Sequence, residues 1–260
     1  ISLQSKKSKI DACQERISFT PTSDEIVEVA LEHFLKANIK DKSNTNIKDY
    51  QTKRKDKIDK TKKRDKTYKE YRSNSVVSFG QGCEGDPLFS FNVIEPAIKK
   101  IRQNYVDGTI NMNTNASKPH LLGKLFDAGL DSIRVSMNSI RKPCYNRYFR
   151  PVKYKFEDVL ESIEIANKKE KFVSINYLNC PGVTDSEREF SALIDFLNRY
   201  HVDMIQWRNL NYDPLNYLKI MENADVKSSP LGMDYIIVEL KKIFPNLIHG
   251  YFNPDVKKYK

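Results

Sequence analysis

The residues best equipped for chemistry are gathered where short β-rich runs give way to turns. The run VVSFG (76–80) leads into Gly80-Gln81-Gly82-Cys83-Glu84-Gly85-Asp86-Pro87. Gly80, Gly82 and Gly85 let the backbone approach a ligand closely and expose N–H groups. Asp86 can accept hydrogen bonds from an ammonium group. The same residues also suit a tight strand-to-helix turn. TINMNT (109–114) leads into Asn113-Thr114-Asn115-Ala116-Ser117, and SIRVSM (132–137) into Asn138-Ser139 and a basic-aromatic stretch from Arg141 to Pro151. FVSINYL (172–178) leads into Asn179-Cys180-Pro181-Gly182-Val183-Thr184-Asp185, and DMIQWRN (203–209) into Asn209-Leu210-Asn211-Tyr212-Asp213-Pro214. Arg134 and Ser136 alternate with Ile133, Val135 and Met137, and Gln206 and Arg208 alternate with Ile205 and Trp207. One set of each must face an interior, where an arginine needs an anionic partner, either a ligand or a structural carboxylate.

Helical patterns separate these runs. Residues 22–36 open with a Thr22/Glu25 capping box and carry Ile26, Val29, Ala30, His33 and Phe34 on one face. Further helices are expected at 93–105, 119–128 (Pro119 in the first turn, Gly129 after the end), 156–168, 185–200 and 233–243, with a short strand at 247–252. Strand followed by helix, repeated five times, predicts βα units on a parallel sheet. In a parallel barrel every strand exit lies on one face, the C-terminal one, where active sites are built. GQGCEG does not have the GxGxxG spacing of a dinucleotide fingerprint.

Composition sets the bounds. The chain has 260 residues and a formal net charge of +10. Residues 36–72 hold 15 of the 44 Lys+Arg and 6 of the 34 Asp+Glu, so nearly all the basicity belongs to one segment and the body is close to neutral. Asp49–Lys53, Asp56–Lys60, Asp59–Lys63 and Asp65–Lys69 have the favourable i,i+4 order, which fits a solvated helix or a disordered insertion. Cys13, Cys83, Cys144 and Cys180 form neither a CxxC pair nor a zinc spacing, and the four histidines form no HxxxH pattern. No run is apolar for long enough to span a bilayer. Reduced thiols in a cytoplasmic protein are expected, with no membrane partner and nucleic acid not favoured.

The order GQGCEGDPL, NMNTNAS, AGLDSIRVSMNS, YFRPVKYKFEDV, SINYLNCPGVTD and IQWRNLNYDP resembles the radical S-adenosylmethionine (SAM) superfamily, from about Ile1 to Pro254. The resemblance implies an α/β fold, a partial (β/α)6 TIM-like barrel of which strands two to six are present. A single domain over 1–260 is expected, with a Lys-rich mobile insertion at about 36–75 and a C-terminal extension at about 215–260. It also implies SAM on the C-terminal face. EGDP at Glu84–Pro87 resembles the family's Gly-Gly-Glu-Pro motif that holds the methionine amino group, with Asp86 in place of the usual Glu, so Gly82, Glu84, Gly85 and Asp86 would contact SAM. Asn113 and Asn115 would lie near SAM, as would Arg134, Ser136 and Asn138 on the next strand. Asn176, Gln206 and Arg208 fall where adenine is usually held.

The family's CxxxCxxC loop, whose thiolates bind a 4Fe–4S cluster, has no counterpart here. The opening ISLQ resembles the stretch after the last cluster cysteine, so the cluster ligands are expected upstream of Ile1. The implied activity is reductive cleavage of SAM to a 5′-deoxyadenosyl radical that abstracts hydrogen from a small-molecule or peptide substrate. Flavodoxin or ferredoxin would be the electron donor. Two other readings stand beside it. One is a non-catalytic or split barrel that binds a partner; the other is a polyanion-binding protein using the 36–72 arm.

Overall fold

The computed structural model describes residues 2–3, 21–40, 75–80, 85–222, 229–250, 252–256 and 259. Among the described residues seven strands form one sheet in sequence order. They are β1 (Ser2–Leu3), β2 (Val76–Phe79), β3 (Thr109–Thr114), β4 (Ser132–Met137), β5 (Phe172–Asn179), β6 (Met204–Asn209) and β7 (Ile248–Gly250). From β2 to β7 every neighbouring pair is parallel, and β1 pairs antiparallel with β2. The helices are α1 (Ser23–Lys40), α2 (Phe91–Asn104), α3 (Pro119–Ala128), α4 (Lys142–Phe149), α5 (Phe156–Lys168), α6 (Glu187–Arg199), α7 (Pro214–Glu222) and α8 (Met233–Ile243). The result is a parallel six-stranded α/β sheet with flanking helices, a partial TIM-like barrel.

The sheet takes in the short strand expected at 247–252 and gains one further strand at the β2 edge. β7 is the sixth parallel strand, and the edge at β2 is paired through Ser2–Ser78 and Leu3–Val77. The unpaired backbone groups of an edge strand offer a ready template for such pairing. The Lys-rich segment lies almost wholly outside the described residues.

Local signals act as their chemistry requires. At the start of α1 the Thr22 N–H donates to Glu25 Oε2 at 2.7 Å, and the Glu25 N–H returns to Thr22 Oγ1 at 3.3 Å. Gly129 ends α3 at φ +115°, where its N–H reaches back to Leu125 and Phe126. Gly108 sits at φ +82° before β3, and a Cβ there would lie 2.6 Å from the Phe34 ring.

The core lies between the sheet and the helices. Val77, Ile110, Ile133, Val135, Val173, Ile175 and Ile205 point outward against Ile98, Ile101, Leu122, Val159, Ile163 and Leu193. The N-terminal ends of the strands are tied by acids. Asp131 accepts from the Ile110 N–H at 2.7 Å and pairs with Arg102, whose Nε also donates to Gly129 O at 2.9 Å. Asp203 accepts from the Val173 N–H at 2.7 Å. No helix among the described residues is long and apolar enough to cross a membrane.

Candidate functional site

Because side chains alternate along a strand, burying the apolar set outward turns the other set into the barrel. Strand register stacks that inner set in rows. The lowest row is Ser78, Asn111, Ser132 and Phe172. Above it lie Asn113, Arg134, Ser174, Met204 and Ile248, then Ser136, Asn176, Gln206 and Gly250, and finally Leu178 and Arg208. The interior is therefore polar through most of its depth. At its base Phe172, Met204 and Val256 form an apolar plug.

The side of the barrel at β2 and β3 is tightly bonded. Asn111 Nδ2 donates to Ser78 Oγ (2.8 Å) and Asn113 Oδ1 (2.9 Å), and Ser132 Oγ donates to Asn111 Oδ1 (2.9 Å). Asn113 Nδ2 donates to Gly80 O at 3.2 Å. After β7 the chain brings Asn253 into this network, where its Nδ2 meets Ser78 Oγ (3.1 Å) and Asn113 Oδ1 (3.2 Å). Asp255 Oδ1 accepts from Thr109 Oγ1 at 2.9 Å, which anchors the same segment to the start of β3.

Gly82 and Glu84 lie outside the described residues. Gly85 is exposed at φ +93° with open space beside it. Asp86 caps the 3-10 turn Pro87–Ser90 by accepting from the Leu88 N–H at 2.9 Å. It also accepts from Thr114 Oγ1 (2.9 Å) and the Asn115 N–H (2.6 Å), so it clamps the turn after β2 to the end of β3. Asn115 uses its own Oδ1 to accept from the Ser117 N–H at 3.1 Å.

The side at β4 to β6 is less satisfied. Arg134 Nη1 donates to Gln206 Oε1 at 2.9 Å, while its Nε is buried without a hydrogen-bond partner. Burial, with Arg208 adding repulsion, pushes the Arg134 pKa down to about 10. Asn176 Oδ1 is also buried and unpaired, next to Ser136 and Gln206 in register. Arg208 is exposed at the rim. Asn138 turns away from this group, with its Nδ2 donating to Cys144 O and Tyr217 Oη, each at 3.2 Å.

Glu189, Tyr177 and Tyr217 were not legible as site residues. Glu189 is fully buried at the start of α6 and accepts from Ser139 Oγ (2.7 Å), the Ile140 N–H (2.8 Å) and the Tyr177 hydroxyl. Burial raises its pKa against the opposing effect of these donors. Ser186-x-x-Glu189 reads as a helix cap, and Ser186 Oγ does accept the Glu189 N–H at 3.3 Å. The carboxylate itself is used to hold the loop after β4. Nothing local in the sequence signals that long-range use. Tyr217 on α7 covers the loops after β4 and β5, packing in one apolar cluster with Cys144, Cys180, Val183 and Met221. A surface depression lined by Arg141, Glu187, Arg188 and Asp195 lies on the outer side of α6 and shares no residue with the barrel interior.

A profile of the radical SAM superfamily matches residues 39–194, more than half of the chain. The chain belongs to the radical SAM superfamily. SAM-dependent radical chemistry is the generic chemistry of that group. Among solved structures, this radical SAM barrel is similar to a radical SAM methyltransferase from Sphaerobacter thermophilus, at TM-score 0.51 and 13% identity over 90% of this chain and 59% of that one. It is also similar to a domain of pyruvate-formate lyase-activating enzyme from Bacteroides vulgatus (TM-score 0.48, 13% identity, 68% of this chain and 98% of that one). A third is coproporphyrinogen III oxidase from Escherichia coli (TM-score 0.47, 16% identity, 65% of this chain and 40% of that one). At these identities the likeness concerns the fold. No curated protein matches the chain.

The superfamily implies a 4Fe–4S cluster as well as SAM. Among the described residues no three His, Cys, Asp or Glu side chains are grouped to hold a metal. Cys144 and Cys180 are free and buried, and burial pushes both thiols up, away from the thiolate a cluster iron needs. The described residues do not fit the cluster, and Cys13 and Cys83 lie outside them.

Proposed function

We propose that this radical SAM barrel binds SAM across the C-terminal ends of β3 to β6, as part of an enzyme whose reductive cleavage of SAM abstracts hydrogen from a substrate. The observation that carries the reading is the row Ser136–Asn176–Gln206 on the barrel's inner face, with Asn176 Oδ1 buried and unpaired. A buried amide oxygen without a donor costs about 1–3 kcal/mol, which a ligand N–H or O–H would recover. SAM offers such donors in its adenine amino group, ribose hydroxyls and ammonium.

Ser136, Asn176 and Gln206 would orient the nucleoside, with Arg208 at the rim. Asn113 and Asn115 would flank it from β3. Asp86 contributes by holding the end of β3 in place and keeps acceptor capacity beyond its three protein donors. Bound SAM would supply the group from which the radical is generated. The chain's own residues bind it, fix its orientation and exclude water.

Isothermal titration of the full chain with SAM tests this. Binding is expected, and Asn176→Leu should weaken it about tenfold, the equivalent of one lost hydrogen bond of about 1.4 kcal/mol. No heat of binding at millimolar SAM, or equal affinity in a folded Asn176→Leu protein, refutes the reading.

A further inference from the structure

Arg134 lies one row deeper than Ser136, Asn176 and Gln206, below the level assigned to SAM. Its one hydrogen-bond partner among the described residues is the neutral Gln206, and its Nε is buried and unpaired. No carboxylate among the described residues forms a hydrogen bond or ion pair with it. A guanidinium half withdrawn from water, with its Nε buried and no anion beside it, is a costly arrangement unless an anion arrives. Arg208 faces the same space and adds a second positive charge.

The surroundings define the rest of the ligand. Asn253 is 5% exposed and its Oδ1 is buried without a partner, an acceptor that calls for a hydroxyl or amino donor. The inner face at this level is made of amides and hydroxyls, and the plug of Phe172, Met204 and Val256 closes the base. Above Met204 of the plug only two more rows of side chains, about 13 Å, reach the strand ends. That depth suits a small molecule, and the lining offers little to an apolar one.

We propose that Arg134 seats the anionic group of the substrate while Asn253 Oδ1 accepts from a hydroxyl or amino group on it, and that the substrate is a small hydrophilic acid, a carboxylate or phosphate ester bearing such a group. The assignment builds on the strand ends as the SAM seat, because it gives the layer beneath to the molecule the radical attacks. It separates Arg134 from the SAM contacts: the guanidinium fork matches a carboxylate or phosphate in two parallel hydrogen bonds.

The test titrates the full chain with malate and glycerol 3-phosphate as acidic probes, glycerol as the neutral probe and putrescine as the cationic one, with SAM measured in parallel. At least one acid should bind, and glycerol and putrescine should not. The two acids distinguish a carboxylate site from a phosphate site. Arg134→Gln should weaken the acid at least tenfold and SAM by a clearly smaller factor, since SAM loses only the bond that orients Gln206. Should that variant not fold, Arg134→Lys, which keeps the charge without the fork, should weaken the acid at least threefold, again with a smaller effect on SAM. Failure of both acids to bind at millimolar concentration overturns the proposal. So does a tenfold loss of SAM affinity in either Arg134 variant with acid binding intact. A wild-type chain that binds acid through Arg134 but no SAM upholds the anion seat and sinks only the SAM reading.

Discussion

Removing the Glu189 carboxylate tests whether α6 holds the loop after β4 through a single buried side chain. Glu189→Ala strands three donors: Ser139 Oγ, the Ile140 N–H and the Tyr177 hydroxyl. Each buried donor left unpaired costs about 1–3 kcal/mol, less whatever a water in the vacated space recovers and less the relief of no longer burying a charge. We expect a net loss of about 3–5 kcal/mol, at the upper end of single-residue effects. Glu189→Gln keeps an oxygen for Ile140 and Tyr177, and the Ser139 hydroxyl can rotate to accept from the new amide, so the expected loss is about 1 kcal/mol or less. Urea unfolding followed by fluorescence is suited to this, because Trp207, the chain's one tryptophan, packs edge-on against Tyr177 at 5.6 Å. The pH dependence gives a second reading. Glu189 has a raised pKa, so the folded state holds its proton more tightly than the unfolded chain. Its contribution is fully present below the unfolded pKa and is lost as pH rises through the folded value. Glu189→Gln should abolish that slope. An Ala variant within 1 kcal/mol of wild type, or a slope unchanged in the Gln variant, refutes this account of the tether.

Gly108→Ala should destabilise by roughly 2–4 kcal/mol, since φ +82° disfavours any Cβ and Phe34 occupies its space; an unchanged melting temperature would contradict the placement of that ring. Arg102→Met should cost about 3 kcal/mol in urea unfolding, because it leaves Asp131 without its cation and the Gly129 carbonyl without its donor. Asp86→Asn should lower stability by about 1 kcal/mol or more through the weakened cap and the clamp to Thr114 and Asn115, seen as a lower melting temperature even without SAM. Asn253→Ala should cost about 1–2 kcal/mol by leaving Ser78 and Asn113 without its amide, and a larger loss would mean that the segment also carries core packing.

Periodicity alone located most of the scaffold. The strands at 109–114 and 132–137 and the helices at 119–128, 156–168 and 233–243 have the bounds that their apolar spacing and caps dictate. Those signals are local: a β-branched run, Pro119 at a first turn, Gly129 after a last one. Where such signals are weak, reading stopped short. α4 (KPCYNRYF) looks like a basic-aromatic loop because its i,i+4 pairs, Cys144/Tyr148 and Tyr145/Phe149, span only eight residues and sit among Lys142, Pro143 and Arg147. Cys144 is buried beside Tyr217 and Tyr145 against Phe156, contacts that exist only once the chain is folded.

The alternation in β4 and β6 said that Arg134, Ser136, Gln206 and Arg208 share a face, but not which face. The helices decided that, because their apolar faces must be buried and the sheet packs its apolar side against them. The polar set was thereby turned inward, and Arg134 met Gln206, 72 residues away, in place of a carboxylate. The roles of Glu189 and Asn253 likewise depend on distant partners, Ser139 and Ile140 at 50 and 49 residues and Ser78 at 175. Local pattern fixes which residues can share a helix or a strand face; the pairing of groups so far apart is settled only when the whole sheet is assembled and each buried donor and acceptor must find a partner within it.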